Sequence, residues 1–209
     1  ILRGHPKMKL YCTPRVLNGI LRRHNISRRI KDFHEPVFKE HPFRIADFEI
    51  VPFDVTHDAS DNSGFFITLH GHTLAVATDL GSITPRVDFY MRQAESIVIE
   101  ANYDLRMLMT GRYPEHLKAR ILAPNGHLDN SDTAGFVAEI YTPRLRNIFL
   151  CHLSHDNNTP EIAVQCVAEA LRRIGVEDIA FTFTTPSQAT PAVTLMALPR
   201  FEATPLVRL

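Results

Sequence analysis

The chain has 209 residues, with 23 Lys and Arg against 23 Asp and Glu, so its formal net charge is zero. That length sustains one sizeable domain with a real hydrophobic core, and the charge balance excludes a global attraction to nucleic acid or to acidic surfaces. The cysteines Cys12, Cys151 and Cys166 form no Cys-x-x-Cys pair, which argues against a thiolate zinc site or a disulfide framework. No apolar run reaches membrane-spanning length and no signal peptide is recognisable, so a reducing cytoplasm is the expected location. Residues Ile1 to His5 do not resemble a natural start, and the chain is expected to begin inside a domain.

In chain order, Met8 to Cys12 reads as a short strand. Pro14 suits a first helical turn, and Val16, Leu17, Ile20 and Leu21 follow at helical spacing. Phe43 to Val55 reads as extended. Gly64 to His70 and Thr73 to Thr78 read as a hairpin about Gly71-His72. Ser96 to Ala101 is a buried strand, followed by short helices over Asp104 to Met109 and Glu115 to Leu122. Asn130 is taken as the N-cap region of a helix bearing Ala134, Val137, Ala138 and Tyr141. Asn147 to His152 is a strand ending on a histidine. Pro160 to Ile174 is an amphipathic helix closed by Gly175. Ile179 to Phe183 and Val193 to Leu198 are closing strands, with Thr184 to Pro191 as a loop. Antiparallel strands followed by strand–helix alternation predict a mixed α/β layered domain.

Polar residues recur at the ends of apolar strands. His57 follows Ile-Val-Pro-Phe-Asp-Val-Thr, Asp79 follows Thr-Leu-Ala-Val-Ala-Thr, and His152 follows Ile-Phe-Leu-Cys. Each alone is more often a structural residue, and an Asp-x-Gly after a strand is most often a turn. Together, two imidazoles and a carboxylate form a sensible ligand set for zinc, manganese or iron. Arg15, Arg22, Arg23, Arg28, Arg29 and Lys31 make a local basic cluster, whose plainest reading is a solvated helix face.

The segments Thr56-His57-Asp58-Ala59, Ala77-Thr78-Asp79-Leu80-Gly81, Gly126-His127-Leu128-Asp129-Asn130 and His152-Leu153-Ser154 with Asn157-Asn158 occur in that order. This resembles the metallo-β-lactamase superfamily, and within it the YycJ (WalJ)-like exonuclease branch. The tRNA 3′-processing ribonucleases share a similar motif order. The resemblance implies an α/β fold, a metallo-β-lactamase-like αββα sandwich that is N-terminally incomplete, with residues 1–209 as a single domain. It implies a binuclear site for two divalent metal ions, zinc ahead of manganese, with His57, Asp79 and His152 as ligands and Asp79 bridging. Glu100 and His127 match a pair in which the carboxylate orients an imidazole that protonates the leaving group or steadies the phosphate. A carboxylate on one ring nitrogen favours the imidazolium, and a cationic donor stabilises charge developing on a phosphoryl oxygen. The implied activity is hydrolysis of nucleic acid, DNA ahead of RNA, through a metal-bound hydroxide. A small-molecule phosphodiesterase on the same scaffold and a metal-free binding protein are the alternatives.

The chain departs from the family in one large respect. The signature His-x-His-x-Asp-His does not occur in it; Leu69-His70-Gly71-His72 and Arg23-His24 do not match. In the family that signature precedes the segment resembling Met8 to Thr13, so the chain reads as a fragment, expected to be inactive or nearly so by itself. Smaller departures are Tyr103 where the family often has histidine, and Asp129 where it has serine. Asp129 is expected to weaken phosphate binding by like-charge repulsion. Asp58 is expected to serve the turn or support the ligands, His155 to be an exposed loop residue, and Asn157 and Asn158 to cap the helix entered at Pro160.

Overall fold

The computed structural model describes residues 8–23, 28–59, 61–181 and 191–198. His24, residues 182–183 of the expected closing strand, residues 184–190 of the expected loop and both chain ends lie outside this set.

Two sheets form. Strands β1 (Leu10–Cys12) and β2 (His34–Pro36) pair in parallel. The main sheet contains β3 (Phe43–Ile45), β4 (Phe48–Asp54), β5 (Ser63–Leu69), β6 (His72–Ala77), β7 (Ser96–Glu100), β8 (Asn147–Cys151), β9 (Ile179–Ala180) and β10 (Val193–Ala197). Its order is β3-β4-β5-β6-β7-β8-β10-β9. The β3 to β6 pairings are antiparallel and the rest are parallel. Because β5 opposes both β4 and β6, the strands β4, β6, β7 and β8 all run the same way. Their C-terminal ends therefore share one edge of the sheet.

The helices are α1 (Pro14–Leu21), α2 (Pro85–Met91), α3 (Leu105–Thr110), α4 (Glu115–Ile121), α5 (Asn130–Ile140) and α6 (Pro160–Arg173). Proline at the first turn and a threonine cap start α1, α2 and α6, where Thr13, Thr84 and Thr159 each accept a backbone N–H. The cap of α5 is Asp129, not Asn130, and it accepts the amide of Asp132 at 2.7 Å. The Asp129 carboxylate is thus held at a helix start. Thr159, not Asn157 or Asn158, caps α6; the side-chain oxygen of Asn158 accepts the Thr159 amide at 2.9 Å and so holds the approach to the helix.

Residues 43–54 form two strands rather than one. A two-residue turn with Ala46 at φ 50 reverses the chain, and Phe43 pairs with Ile50. Helix α2 is 7 residues long and strand β2 only 3, too short to show a clear period, so their formation depends on tertiary packing.

Strand alternation divides the sheet into two faces. Val51, Phe66, Ala75, Ile97, Ile148 and Leu195 stand in register on one face. Apolar residues of α2, α5 and α6, including Met91, Val137 and Leu171, pack with this row in the main core. Full burial of a side chain of this size contributes about 1.5–3 kcal/mol. Phe53 stacks on Tyr90 of α2 at 4.6 Å and lies over Gly64, where a Cβ would come within 2.4 Å of the ring. Any side chain at position 64 would displace Phe53. The other face carries Pro52, Phe65, Val76, Val98, Phe149 and Met196 in register.

Candidate metal centre

The common edge of β4, β6, β7 and β8 gathers every site residue expected from sequence. His57 lies just beyond β4 and Asp79 just beyond β6. Glu100 ends β7, His152 follows β8, and His127 comes from the loop between α4 and α5. Ligands bind at the carboxyl ends of strands in open α/β sheets, where the chain leaves the sheet and side chains are free to converge.

Asp79 is at the middle. Its Oδ1 lies 3.5 Å from Nε2 of His57 and 3.6 Å from Nδ1 of His152. Donor atoms of His57, Asp79 and His127 all lie within 4.8 Å of one another, as do those of Glu100, His127 and His152. The backbone at Asp79 has φ 55 and at His152 φ 56. Non-glycine residues in this region cost about 1 kcal/mol or more and concentrate at functional sites.

The ring orientations are fixed from behind. His57 donates through Nδ1 to the carbonyl of Gly126 at 2.9 Å, which turns Nε2 toward Asp58 Oδ1 at 3.3 Å and Asp79 Oδ1 at 3.5 Å. His127 donates through Nδ1 to Glu100 Oε1 at 2.8 Å, and His152 donates through Nδ1 to the same oxygen at 2.6 Å. The other oxygen of Glu100 accepts the amide of Leu80 at 2.5 Å. The Glu100 side chain is 0% exposed. Burial alone would raise its pKa, but hydrogen bonds from His127 and His152, with their charges, hold it below the usual carboxylate range.

The Glu100–His127 pair was expected; the second imidazole on the same oxygen was not. One carboxylate therefore orients both a metal-ligand candidate and an acid candidate. Such backing groups fix the tautomer and raise ligand basicity. Two glycines also emerge as positioning residues. A Cβ on Gly81 would lie 2.4 Å from both Asn125 Cα and the Pro124 carbonyl, and one on Gly126 would lie 2.2 Å from the Ile121 carbonyl. The loop carrying His127 is thus wedged between the segment after Asp79 and the end of α4, at distances that only glycine allows. The motifs contained both glycines, but their spatial contacts were not legible.

Asp58 accepts both Nε and Nη2 of Arg120, the second at 3.1 Å. This pairing holds the Asp58 carboxyl below its ordinary range. Tyr103 does not enter the site. It is buried with Leu108 and Ile121, and burial, with Asp129 nearby, pushes its hydroxyl up to about 12. His155 is exposed and bonded to Asp156 at 3.0 Å. Arg15, Arg22, Arg23, Arg28, Arg29 and Lys31 are exposed on α1 and the 3-10 turn that follows.

The donor set suits a divalent cation: in each of the two triads, imidazole nitrogens and a carboxylate oxygen lie within 4.8 Å of one another. Sheet order and site together define a metallo-β-lactamase fold. The chain belongs to the beta-lactamase superfamily, whose domain model matches residues 1–152. It is 37% identical to exodeoxyribonuclease YycJ of Bacillus anthracis over 129 residues, 62% of this chain and 49% of that protein. It is 35% identical to exodeoxyribonuclease WalJ of Streptococcus pneumoniae serotype 2 over 149 residues, 69% of this chain and 55% of that protein. The chain spans about half the length of these curated relatives. In fold it is similar to Igni18, a metallo hydrolase from the archaeon Ignicoccus hospitalis, with TM-score 0.55 and 13% identity, covering 94% of this chain and 67% of that one. Among the described residues, no helix is long and apolar enough to cross a membrane.

Proposed function

We propose that this chain supplies the acid–base and metal-binding edge of a metal-dependent phosphodiesterase acting on nucleic acid, an exonuclease on DNA ahead of RNA. The observation that carries this reading is the buried Glu100 carboxylate holding the rings of His127 and His152 beside Asp79. The names of the two exodeoxyribonuclease relatives support the substrate class.

His57, Asp79 and His152 would hold divalent metal, zinc ahead of manganese. A cation bound there supplies Lewis acidity and lowers the pKa of water toward neutrality. The protein's own groups do the rest. Glu100 accepts a hydrogen bond from Nδ1–H of His127 and so directs an Nε2–H donor outward. That donor hydrogen-bonds a phosphoryl oxygen and delivers its proton to the departing oxygen. The exposed basic residues from Arg15 to Lys31 guide the strand's backbone. Residues 1–209 belong to a single domain. The free state of all three cysteines suits a cytoplasmic setting.

The test is hydrolysis of single- and double-stranded DNA and RNA by the native-length gene product, with and without zinc or manganese. Metal-dependent release of nucleotides is expected, and His127→Gln should lower kcat by roughly 10²–10⁴. A metal-loaded protein inert on all four substrates would overturn the reading.

A further inference from the structure

A cavity of about 970 Å³ borders the candidate metal centre, with His127 and His152 in its lining. Its size is at the upper end of the ~300–1,000 Å³ found for small-molecule sites. One wall comes from the turn before α4 and from α4 itself, through Tyr113, Leu117 and Ile121. These side chains pack on buried Tyr103 and Leu108, so that wall is formed in advance of any ligand. Leu153 and Pro160, from the segment between β8 and α6, add apolar surface.

Polar groups share the lining with this apolar wall. Arg120 lines the cavity with its guanidinium pinned by Asp58. Asp156 lines it too, bonded to His155 at 3.0 Å. Ser154 accepts from the amide and side chain of Asn157 at 3.3 Å, which leaves its hydroxyl hydrogen to donate.

We propose that this cavity is a nucleoside subsite, which takes the sugar and base of a strand's terminal nucleotide. The inference rests on the phosphodiesterase reading and deepens it. The scissile phosphate lies at His127 with Arg120 beside it, and the base lies against Tyr113 and Leu117. An inorganic phosphate would have no use for the apolar wall. A strand threaded through the whole cavity would bring further phosphates against the carboxylates of Asp58 and Asp156. One uncharged base and sugar, ending on one phosphate, match both the wall and the charges. A tyrosine face holds any base, so the subsite is sequence-tolerant.

The experiment uses metal-loaded, native-length protein and measures binding of dAMP, 2-deoxyribose 5-phosphate and inorganic phosphate by calorimetry, in wild type, Leu117→Trp and Tyr113→Ala. The dAMP is expected to bind at least about tenfold more tightly than the sugar phosphate. Leu117→Trp should remove that difference and leave inorganic phosphate affinity unchanged. Tyr113→Ala, at a half-buried position, should reduce the difference and decides the matter if Leu117→Trp fails to fold. Equal affinity for dAMP and sugar phosphate in wild type, or a preference that survives in both folded variants, overturns the subsite. The two readings fail separately. Nuclease activity without a dAMP preference removes only the subsite. A dAMP preference lost in the variants, in a protein inert on every polymer, removes only the nuclease.

Discussion

Glu100→Gln is nearly isosteric and isolates the charge of the residue that organises the site. The carboxylate accepts three hydrogens, from Leu80 N at 2.5 Å, His127 Nδ1 at 2.8 Å and His152 Nδ1 at 2.6 Å. A glutamine offers one acceptor oxygen and an NH2 group that donates. With the oxygen toward the imidazoles, the NH2 faces the Leu80 amide and strands a buried donor, at about 1–3 kcal/mol. The two imidazole bonds also lose their charge-assisted character, roughly halving each and removing about 1 kcal/mol apiece. The easier burial of a neutral amide offsets part of this, and the net loss is about 2–4 kcal/mol. For a chain of this size that lowers the melting temperature by roughly 4–16 °C. Metal affinity should fall about 10–100-fold, because the acceptor behind both rings loses its charge. Urea or thermal unfolding of metal-free protein measures the first effect, and competition against a chromophoric chelator the second. A variant within about 0.5 kcal/mol of wild type in the metal-free state would refute the argument, since the carboxylate would then not be the acceptor that holds these rings.

Gly126→Ala places a Cβ 2.2 Å from the Ile121 carbonyl and should cost about 1–3 kcal/mol while shifting the carbonyl that orients His57. Gly135→Ala is its control: nothing lies within 4 Å, the site is on the exposed side of α5, and stability should rise by about 0.5–1 kcal/mol. Asp79→Gly should raise the metal-free unfolding free energy by about 1 kcal/mol through relief of the φ 55 backbone, yet lower metal affinity in the chelator assay. Acid sensitivity should trace in part to Asp61, whose carboxyl burial would raise but whose bonds from Lys39 and Thr13 hold below the ordinary 3.8. Between that lowered value and 3.8 the unfolded chain binds more protons than the folded one, so stability rises with pH there. The contribution is complete above 3.8 and is lost as pH falls through the folded value; urea midpoints across acid pH should show a shallower acid limb in Asp61→Asn.

Much of the fold was legible because apolar runs of strand length bounded by turn residues carry their own signal. Ser96 to Glu100 and Asn147 to Cys151 are of this kind, and α6 announced itself by proline, apolar spacing and a closing glycine. The split of residues 43–54 was hidden because a tight turn with Ala46 in the left-handed region needs no glycine to mark it. Helix α2 was hidden because its buried residues, Val87, Tyr90 and Met91, gain their order from the main core, with Tyr90 against Phe53 and Phe66 of the sheet.

By itself the sequence determined which residues end apolar strands, and hence that His57, Asp79 and His152 sit where a chain leaves a sheet. It also contained the Glu100 and His127 motifs. Only the tertiary structure decided that one oxygen of Glu100 serves His127 and His152 together, across 27 and 52 positions of chain. That sharing follows from β7 lying next to β8 with the same direction and in register, Glu100 opposite Cys151. Neighbouring strands a few ångströms apart bring together groups whose separation along the chain carries no information about their distance.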